Sequence, residues 1–359
     1  MLTLTLAGDT VASLYLTTRA DRIGRRRMLI IGAALMAAAG LMFASTRSFV
    51  WLILAGTIGV ISPSGNEVGP FLSIEQAALS QVVPARSRTA VFAWYTLAGS
   101  FATAAGALSG GTLAQRLQGA AMTPLESYRT VVLLYAALGV LLLFLFTRLS
   151  PAAEVRVPAT QNVFGIGASR GVVFKLSGLF ALDSFAGGFV VQSFAAYWFY
   201  LRFGVDPRTL GAIFFGANVL AGVSALLASR LAARFGLVKT MVFTHLPSNL
   251  LLILVPLMPT LPLAILVLLV RFSISQMDVP TRQSYTMAVV APEERSAAAG
   301  ITGVARTTGA AIAPVFAGLL FARPALISVP FFIAGTLKVV YDLLLYRGFA
   351  ARHPPDETA

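Results

Sequence analysis

Among the ionisable residues inside long apolar runs of this 359-residue chain, five could do chemistry: Glu67, Asp183, Arg271, Asp278 and Arg282. A charge at the centre of a hydrocarbon layer costs about 2.5–3.5 kcal/mol on insertion scales, so each one implies a use. Glu67 closes the stretch Ser62-Pro63-Ser64-Gly65-Asn66-Glu67, midway along its run. Pro63, Gly65 and Pro70 predict a broken or kinked helix there, with backbone carbonyls freed beside Asn66. A carboxyl in that setting can take up and release a proton, which makes Glu67 the first candidate for proton coupling. Asp183 lies near the middle of another run, with Gln192 beyond it, and is the second candidate. In RFSISQMDVPTRQ, the residues Arg271, Asp278 and Arg282 follow i, i+7, i+11 and share one helical face, with Gln276 between them. Arg271 is suited to bind an anionic group or to neutralise Glu67 or Asp183.

Other chemistries are poorly served. There is no cysteine, and the only histidines are His245 and His353. Neither a zinc-binding H-E-x-x-H nor a nucleophile elbow G-x-S-x-G occurs, so no metal, no cofactor and no enzymatic activity is expected. Hydrophobic residues make up 57% of the chain and charged ones 11%, with mean hydropathy +0.81. Soluble domains carry about 25% charged residues, so the expected solvent is the lipid bilayer. The net charge of +13 raises nucleic acid as a partner. Its distribution argues against that, because basic residues cluster in short loops between apolar runs, as at Arg19, Arg22, Arg25, Arg26 and Arg27.

The elements that hold these residues must be membrane-spanning helices, since lipid tolerates no irregular exposed backbone. Eleven spans are expected, at 1–18, 28–45, 49–82, 89–113, 129–147, 172–200, 209–229, 239–258, 261–290, 297–321 and 326–347. With the Arg19–Arg27 loop on the cytoplasmic side, loop Lys and Arg divide sixteen against six in favour of that side. Trp94 and Trp198, near span ends, read as interfacial anchors. Arg306, Lys338, Asp342 and His245 read as packing or snorkelling residues.

A polar stretch at 150–170 divides the chain into halves that repeat one another. Gln76-x5-Val82-Val83 and Arg88-Thr89-Ala90 match Gln283-x5-Val289-Val290 and Arg295-Ser296-Ala297. Ala20-x-Arg22-x-Gly24 matches Ala232-x-Arg234-x-Gly236. The halves predict an N-terminal bundle at 1–147, a cytoplasmic linker at 148–171, a C-terminal six-helix bundle at 172–347 and a cytoplasmic tail at 348–359. The span at 172–200 lacks a counterpart in the first half; its image would lie upstream of Met1. The expected arrangement is therefore five spans plus six. Duplicated halves are a transporter signature.

The run Leu16-Thr17-Thr18-Arg19-Ala20-Asp21-Arg22-Ile23-Gly24-Arg25-Arg26-Arg27 resembles the loop signature G-x-L-A-D-R-x-G-R-R/K of the major facilitator superfamily. The match covers the Ala-Asp-Arg-x-Gly-Arg-Arg core; Thr17 and Arg19 replace the usual glycine and leucine. The resemblance implies an all-α membrane protein of two helical bundles, with its first helix absent. It implies that this loop latches the cytoplasmic side through Asp21, Arg22, Gly24 and Arg25. Glu75 and Arg282, equivalent in the two halves, are expected to pair as part of that gate. Gly106, Gly110 and Gly111 resemble the glycine pattern of the family's exporters, although Ala107 stands where those have proline, and are assigned to helix packing.

By the family's arrangement, the spans at 49–82, 172–200 and 261–290 line a central cavity. The site is then Glu67, Asn66, Asp183, Gln192, Arg271, Gln276 and Asp278. The activity implied is secondary transport by a monomer in a bacterial cytoplasmic membrane, most simply proton-coupled efflux of a small organic or amphipathic solute. An anion importer or uniporter of the same fold, and a truncated non-transporting remnant, are the alternatives.

Overall fold

A computed structural model describes residues 23–59, 85–154, 169–290 and 295–350, with isolated positions before residue 17 and between 71 and 82. Among these residues the regular structure is entirely helical. The helices are α1 (Arg25–Ser45), α2 (Phe49–Ile58), α3 (Ala85–Gly119), α4 (Pro124–Thr147), α5 (Arg170–Gly188) and α6 (Gln192–Phe203). They continue with α7 (Pro207–Phe235), α8 (Leu237–Leu254), α9 (Leu261–Ser275), α10 (Asp278–Ala288), α11 (Arg295–Phe321) and α12 (Val329–Phe349). Among the described residues, eight segments are long and apolar enough to cross a membrane, with α5–α6 and α9–α10 each forming one of them. These eight coincide with eight of the expected spans. The expected span 89–113 is helical throughout as part of α3. Most of 1–18 and 49–82 lies outside the described residues.

Two expected spans are interrupted helices. The run 261–290 breaks at Gln276 and Met277, between α9 and α10. Pro280 accounts for it: its ring conflicts with the carbonyl four residues back, at Gln276, and it has no N–H to donate there. The run 172–200 breaks after the pair Gly187-Gly188. Pro247 lies inside α8 and removes one more backbone bond.

The chain divides into two compact units, residues 1–92, 107–160 and 206–211 in one, and 93–106, 161–205 and 212–359 in the other. In each, helices meet through small side chains, since lipid supplies no hydrophobic drive for helices to associate. In the first unit α1 packs on α4: a Cβ on Gly40 would lie 2.8 Å from the Ala136 Cβ, and one on Gly139 2.9 Å from the Ala37 nitrogen. In the second, α5 meets α11, where a Cβ on Gly188 would lie 2.7 Å from the Ala310 carbonyl oxygen and one on Gly309 would meet the Ala181 carbonyl. There α8 meets α12, where a Cβ on Gly335 would sit 3.0 Å from the Asn249 carbonyl oxygen. Large apolar side chains such as Phe49, Trp51, Leu141, Phe144 and Leu319 are exposed, as a lipid-facing surface requires. Trp94 is exposed too, whereas Trp198, expected as an anchor, is fully buried and its Nε1–H donates to the Ser328 Oγ at 3.1 Å.

The sequence repeat extends to backbone conformation. Gly24 has φ 111° and Gly236 has φ 86°, and each immediately precedes a helix, α1 and α8 respectively. Side chains with a Cβ rarely adopt these angles. The arginine-rich loop therefore needs glycine at both equivalent positions.

Candidate functional site: a buried ionic network and a helix-end clamp

The second unit encloses seven polar and charged side chains, none more than 9% exposed: Asp183, His245, Asn249, Asp278, Arg282, Lys338 and Asp342. Four helices supply them. Asp183 projects from α5, His245 and Asn249 lie one turn apart on α8, Asp278 and Arg282 one turn apart on α10, and Lys338 and Asp342 one turn apart on α12. Residues at i, i+4 share a helical face, so three of the four helices present paired polar groups to one region.

Asp183 is the centre. Its Oδ1 lies 2.5 Å from the Lys338 Nζ and its Oδ2 3.1 Å from the Arg282 Nη1. The same Arg282 nitrogen is 3.3 Å from Asp278, and the guanidinium lies over the Phe180 ring at 5.4 Å. On the other side, the His245 Nδ1 is 2.8 Å from the Asp342 Oδ1, and the Asn249 Nδ2 donates to the Asp342 Oδ2 at 2.9 Å. That contact makes Nδ1–H the donor to Asp342, which leaves Nε2 facing the Asp183 Oδ1 at 3.9 Å. A packed layer of Leu176, Phe180, Met241, Val242, Tyr285, Tyr341 and Leu345 adjoins the network. Removing one partner of a buried pair costs about 3–5 kcal/mol, so this set holds together only as a set.

The structure brings together three residues expected to act, Asp183, Asp278 and Arg282. It corrects three other assignments: His245, Lys338 and Asp342 are not packing or snorkelling residues but the partners of Asp183 and of one another. The signal was present as Lys338 and Asp342 one turn apart, and His245 and Asn249 likewise, in otherwise apolar spans. Arg282, also expected in a gate pair with Glu75, contacts Asp183 and Asp278 within the second unit. Glu75 itself is half-buried in the first unit.

The remaining candidates are dispersed. Gln192, at the start of α6, accepts from the Asn218 Nδ2 at 3.2 Å. Gln276, at the break after α9, donates its backbone N–H to the Ser224 Oγ at 3.2 Å. Arg271, on α9, takes part in no ion pair among the described residues, and its buried Nε has no hydrogen-bond partner there. Of the helix-packing glycines, a Cβ on Gly111 would run into the Pro207 carbonyl and lie 3.1 Å from the Gly211 Cα. One on Gly110 would meet only the Val131 side chain, at 3.7 Å, and one on Gly106 nothing within 4 Å. Glu67, Asn66, Asp21 and Arg22 lie outside the described residues. So does Asp9.

The described part of the arginine-rich loop shows an arrangement absent from the sequence reading. The Glu154 carboxylate, just beyond α4, accepts the N–H of Arg25 at 2.8 Å and of Arg26 at 3.1 Å. In return Arg26 Nη2 donates to the Thr147 carbonyl at 2.5 Å and Arg25 Nη1 to the Ala153 carbonyl at 3.2 Å. The start of α1 and the end of α4 thus satisfy each other's orphan backbone groups, with an acid at a helix N-terminus and cations at a C-terminus. Glu154 is the only acid between Glu126 and Asp183, and that isolation beside a basic loop was the available sequence signal. No group of three or more His, Cys, Asp or Glu suited to a metal occurs among the described residues.

The sequence profile of the Major Facilitator Superfamily matches residues 1–201 and, again, 176–359. An uncharacterised membrane protein of Saccharomyces cerevisiae is 31% identical over 377 aligned residues, covering 96% of this chain and 84% of the yeast protein. Among solved structures, the xylose transporter XylE from E. coli in a partially occluded inward-open conformation superposes with a TM-score of 0.73. It is 15% identical, over 99% of this chain and 87% of that one. The nucleoside transporter NupG superposes with a TM-score of 0.72 at 14% identity, over 97% and 90%. At such identities the likeness is one of fold.

Proposed function

Since this chain belongs to the Major Facilitator Superfamily and is a membrane transporter, not an enzyme, we propose that it is a proton-coupled secondary transporter that exports a small organic solute. The cycle would be alternating access, with the substrate site facing the two sides of the membrane in turn. The Arg19–Arg27 loop and the C-terminus would lie in the cytoplasm, as the loop charge bias favours. Export rests on the glycine pattern of α3.

The buried network of the second unit carries the proposal of proton coupling. Three carboxylates, two cations and an imidazole within one apolar bundle are costly to fold, and such intramembrane charge marks proton and substrate pathways. Asp183, held by Lys338 and Arg282, serves as the fixed anion. The exchangeable proton is assigned to the His245 Nε2, which faces Asp183 without a closer partner while Nδ1 is occupied by Asp342. Binding there creates an imidazolium that competes with Lys338 for the Asp183 Oδ1; release restores the Lys338 pair. Helices α5, α8 and α12 are thereby coupled to one proton. Glu67 remains the proposed carrier of the first half.

Flux in proteoliposomes under an imposed pH gradient, screened over cationic, neutral and anionic solutes, tests this. His245→Gln and Glu67→Gln are each expected to retain solute exchange and to lose the response to the gradient. Gradient-driven flux that persists in both variants would refute proton coupling through these residues.

A further inference from the structure

Every charged side chain of the network is matched to another, whereas Arg271, in the same unit, pairs with no carboxylate among the described residues. Its Nε is buried and unpartnered among the described residues, and its guanidinium only stacks beside Phe272 at 5.0 Å. Asp278 and Asp183 act on it through space without reaching it. A guanidinium whose Nε is buried with no acceptor leaves that directional donor unused in a setting where it is costly. One turn further along α9, Ser275 is 4% exposed and its Oγ also lacks a partner. Serine in a helix ordinarily bonds back to the carbonyl three or four residues earlier, here that of Phe272 or Arg271, as the Ser273 hydroxyl does toward Val270. Ser275 does not, although it ends α9 where Pro280 breaks the span. Arg271 and Ser275 are i, i+4 on one helical face, so both unused donors lie on the same side of α9.

We infer that Arg271 and Ser275 form a subsite for one anionic group of the transported solute, a carboxylate or an equivalent oxyanion. Two oxygens on one atom suit the planar fork of a guanidinium, and the serine hydroxyl adds a donor from the next turn. Asp278, locked to Arg282, and Asp183, locked to Lys338 and Arg282, leave Arg271 as the cation available to an incoming anion. This inference rests on the transporter reading, because it assigns a chemical class to the solute carried.

Purified protein in detergent would be probed with benzoate and octanoate against their uncharged amides and the matching amines. Thermal unfolding followed by intrinsic tryptophan fluorescence gives the binding curves. The two carboxylates are expected to stabilise the wild type at millimolar concentration, and the amides and amines are not. Arg271→Gln should raise the apparent dissociation constant for the carboxylates about tenfold or more. Arg271→Lys, which keeps the charge and loses the fork, should fall between, and Ser275→Ala should weaken binding by a smaller factor. If Arg271→Gln does not fold, the lysine and serine variants carry the same comparison. Equal shifts from all three probe classes, no shift from either carboxylate, or wild-type binding in the variants would overturn the subsite. Flux of the same probes separates the two readings. Carboxylate binding lost in Arg271→Gln, with no flux of any solute, would sink the transport assignment and leave the subsite standing. Flux indifferent to solute charge, and unchanged in Arg271→Lys and Ser275→Ala, would do the reverse.

Discussion

The Lys338 ammonium and the Asp183 carboxylate meet at 2.5 Å inside the second unit, joining α12 to α5. Because Arg282 grips the other oxygen of Asp183, one carboxylate ties together three helices. Asp183→Asn therefore strands the Lys338 ammonium and leaves Arg282 with Asp278 alone. It is expected to destabilise the protein by about 3–5 kcal/mol. Lys338→Met alone should cost less, since Arg282 still neutralises Asp183. The double variant should recover part of the loss, with a coupling energy of about 0.5–3 kcal/mol. Thermal unfolding of the four proteins in one detergent measures this. Strictly additive effects would show that the pair does not couple α5 to α12.

Glu154 anchors the start of α1 from 129 residues away in sequence. Replacing it with alanine removes the acceptor for two helix N-terminal N–H groups and should cost about 0.5–2 kcal/mol. Glu154→Gln should cost less, because the amide oxygen still accepts one of them. Denaturation midpoints give the order; an alanine variant as stable as the wild type would contradict the clamp.

Asp206 caps α7 from the loop between α6 and α7. It accepts from the Thr209 hydroxyl at 2.7 Å, the Thr209 N–H at 3.0 Å and the Arg208 N–H at 2.9 Å. These bonds, the Thr209 hydroxyl first, hold its carboxyl below the usual aspartate range. The folded value thus lies beneath the unfolded one. The stability Asp206 adds is complete above the unfolded value, about 3.9, and is lost as pH falls through the folded value. Asp206→Ala should lower stability by about 1 kcal/mol at neutral pH and by progressively less in acid. A difference from wild type that stays constant between pH 7 and pH 3 would rule this cap out as a contributor.

Gly40 and Ala136 set the spacing of α1 and α4, with a Cβ on Gly40 falling 2.8 Å from that of Ala136. Gly40→Ala is expected to cost about 1–3 kcal/mol through overpacking. Adding Ala136→Gly should restore part of it by removing the nearest obstructing atom. Failure of the second change to help would mean the helices separate by backbone movement instead.

The sequence by itself determined the class of the molecule. Long apolar runs fix helices, because in lipid each backbone group must be satisfied within its own segment, and this needs no tertiary information. It also fixed the repeat down to Gly24 and Gly236, since a positive φ before a helix leaves its mark as glycine. The breaks near Gly188 and Gln276 were written in Gly187-Gly188 and Pro280, though each run reads as one span by hydropathy. Asp183, Asp278 and Arg282, which the structure brings together, were legible as candidates because charge in an apolar run is locally anomalous. Only the tertiary structure decided which charge answers which. Lys338 lies 155 residues from Asp183, and Asp342 lies 97 from His245. Periodicity places a side chain on a face of its own helix and says nothing of what that face meets. Arg282 thus met Asp183 and Asp278, and Arg271 was left with its Nε open, because packing of helices around Asp183 fixed those distances.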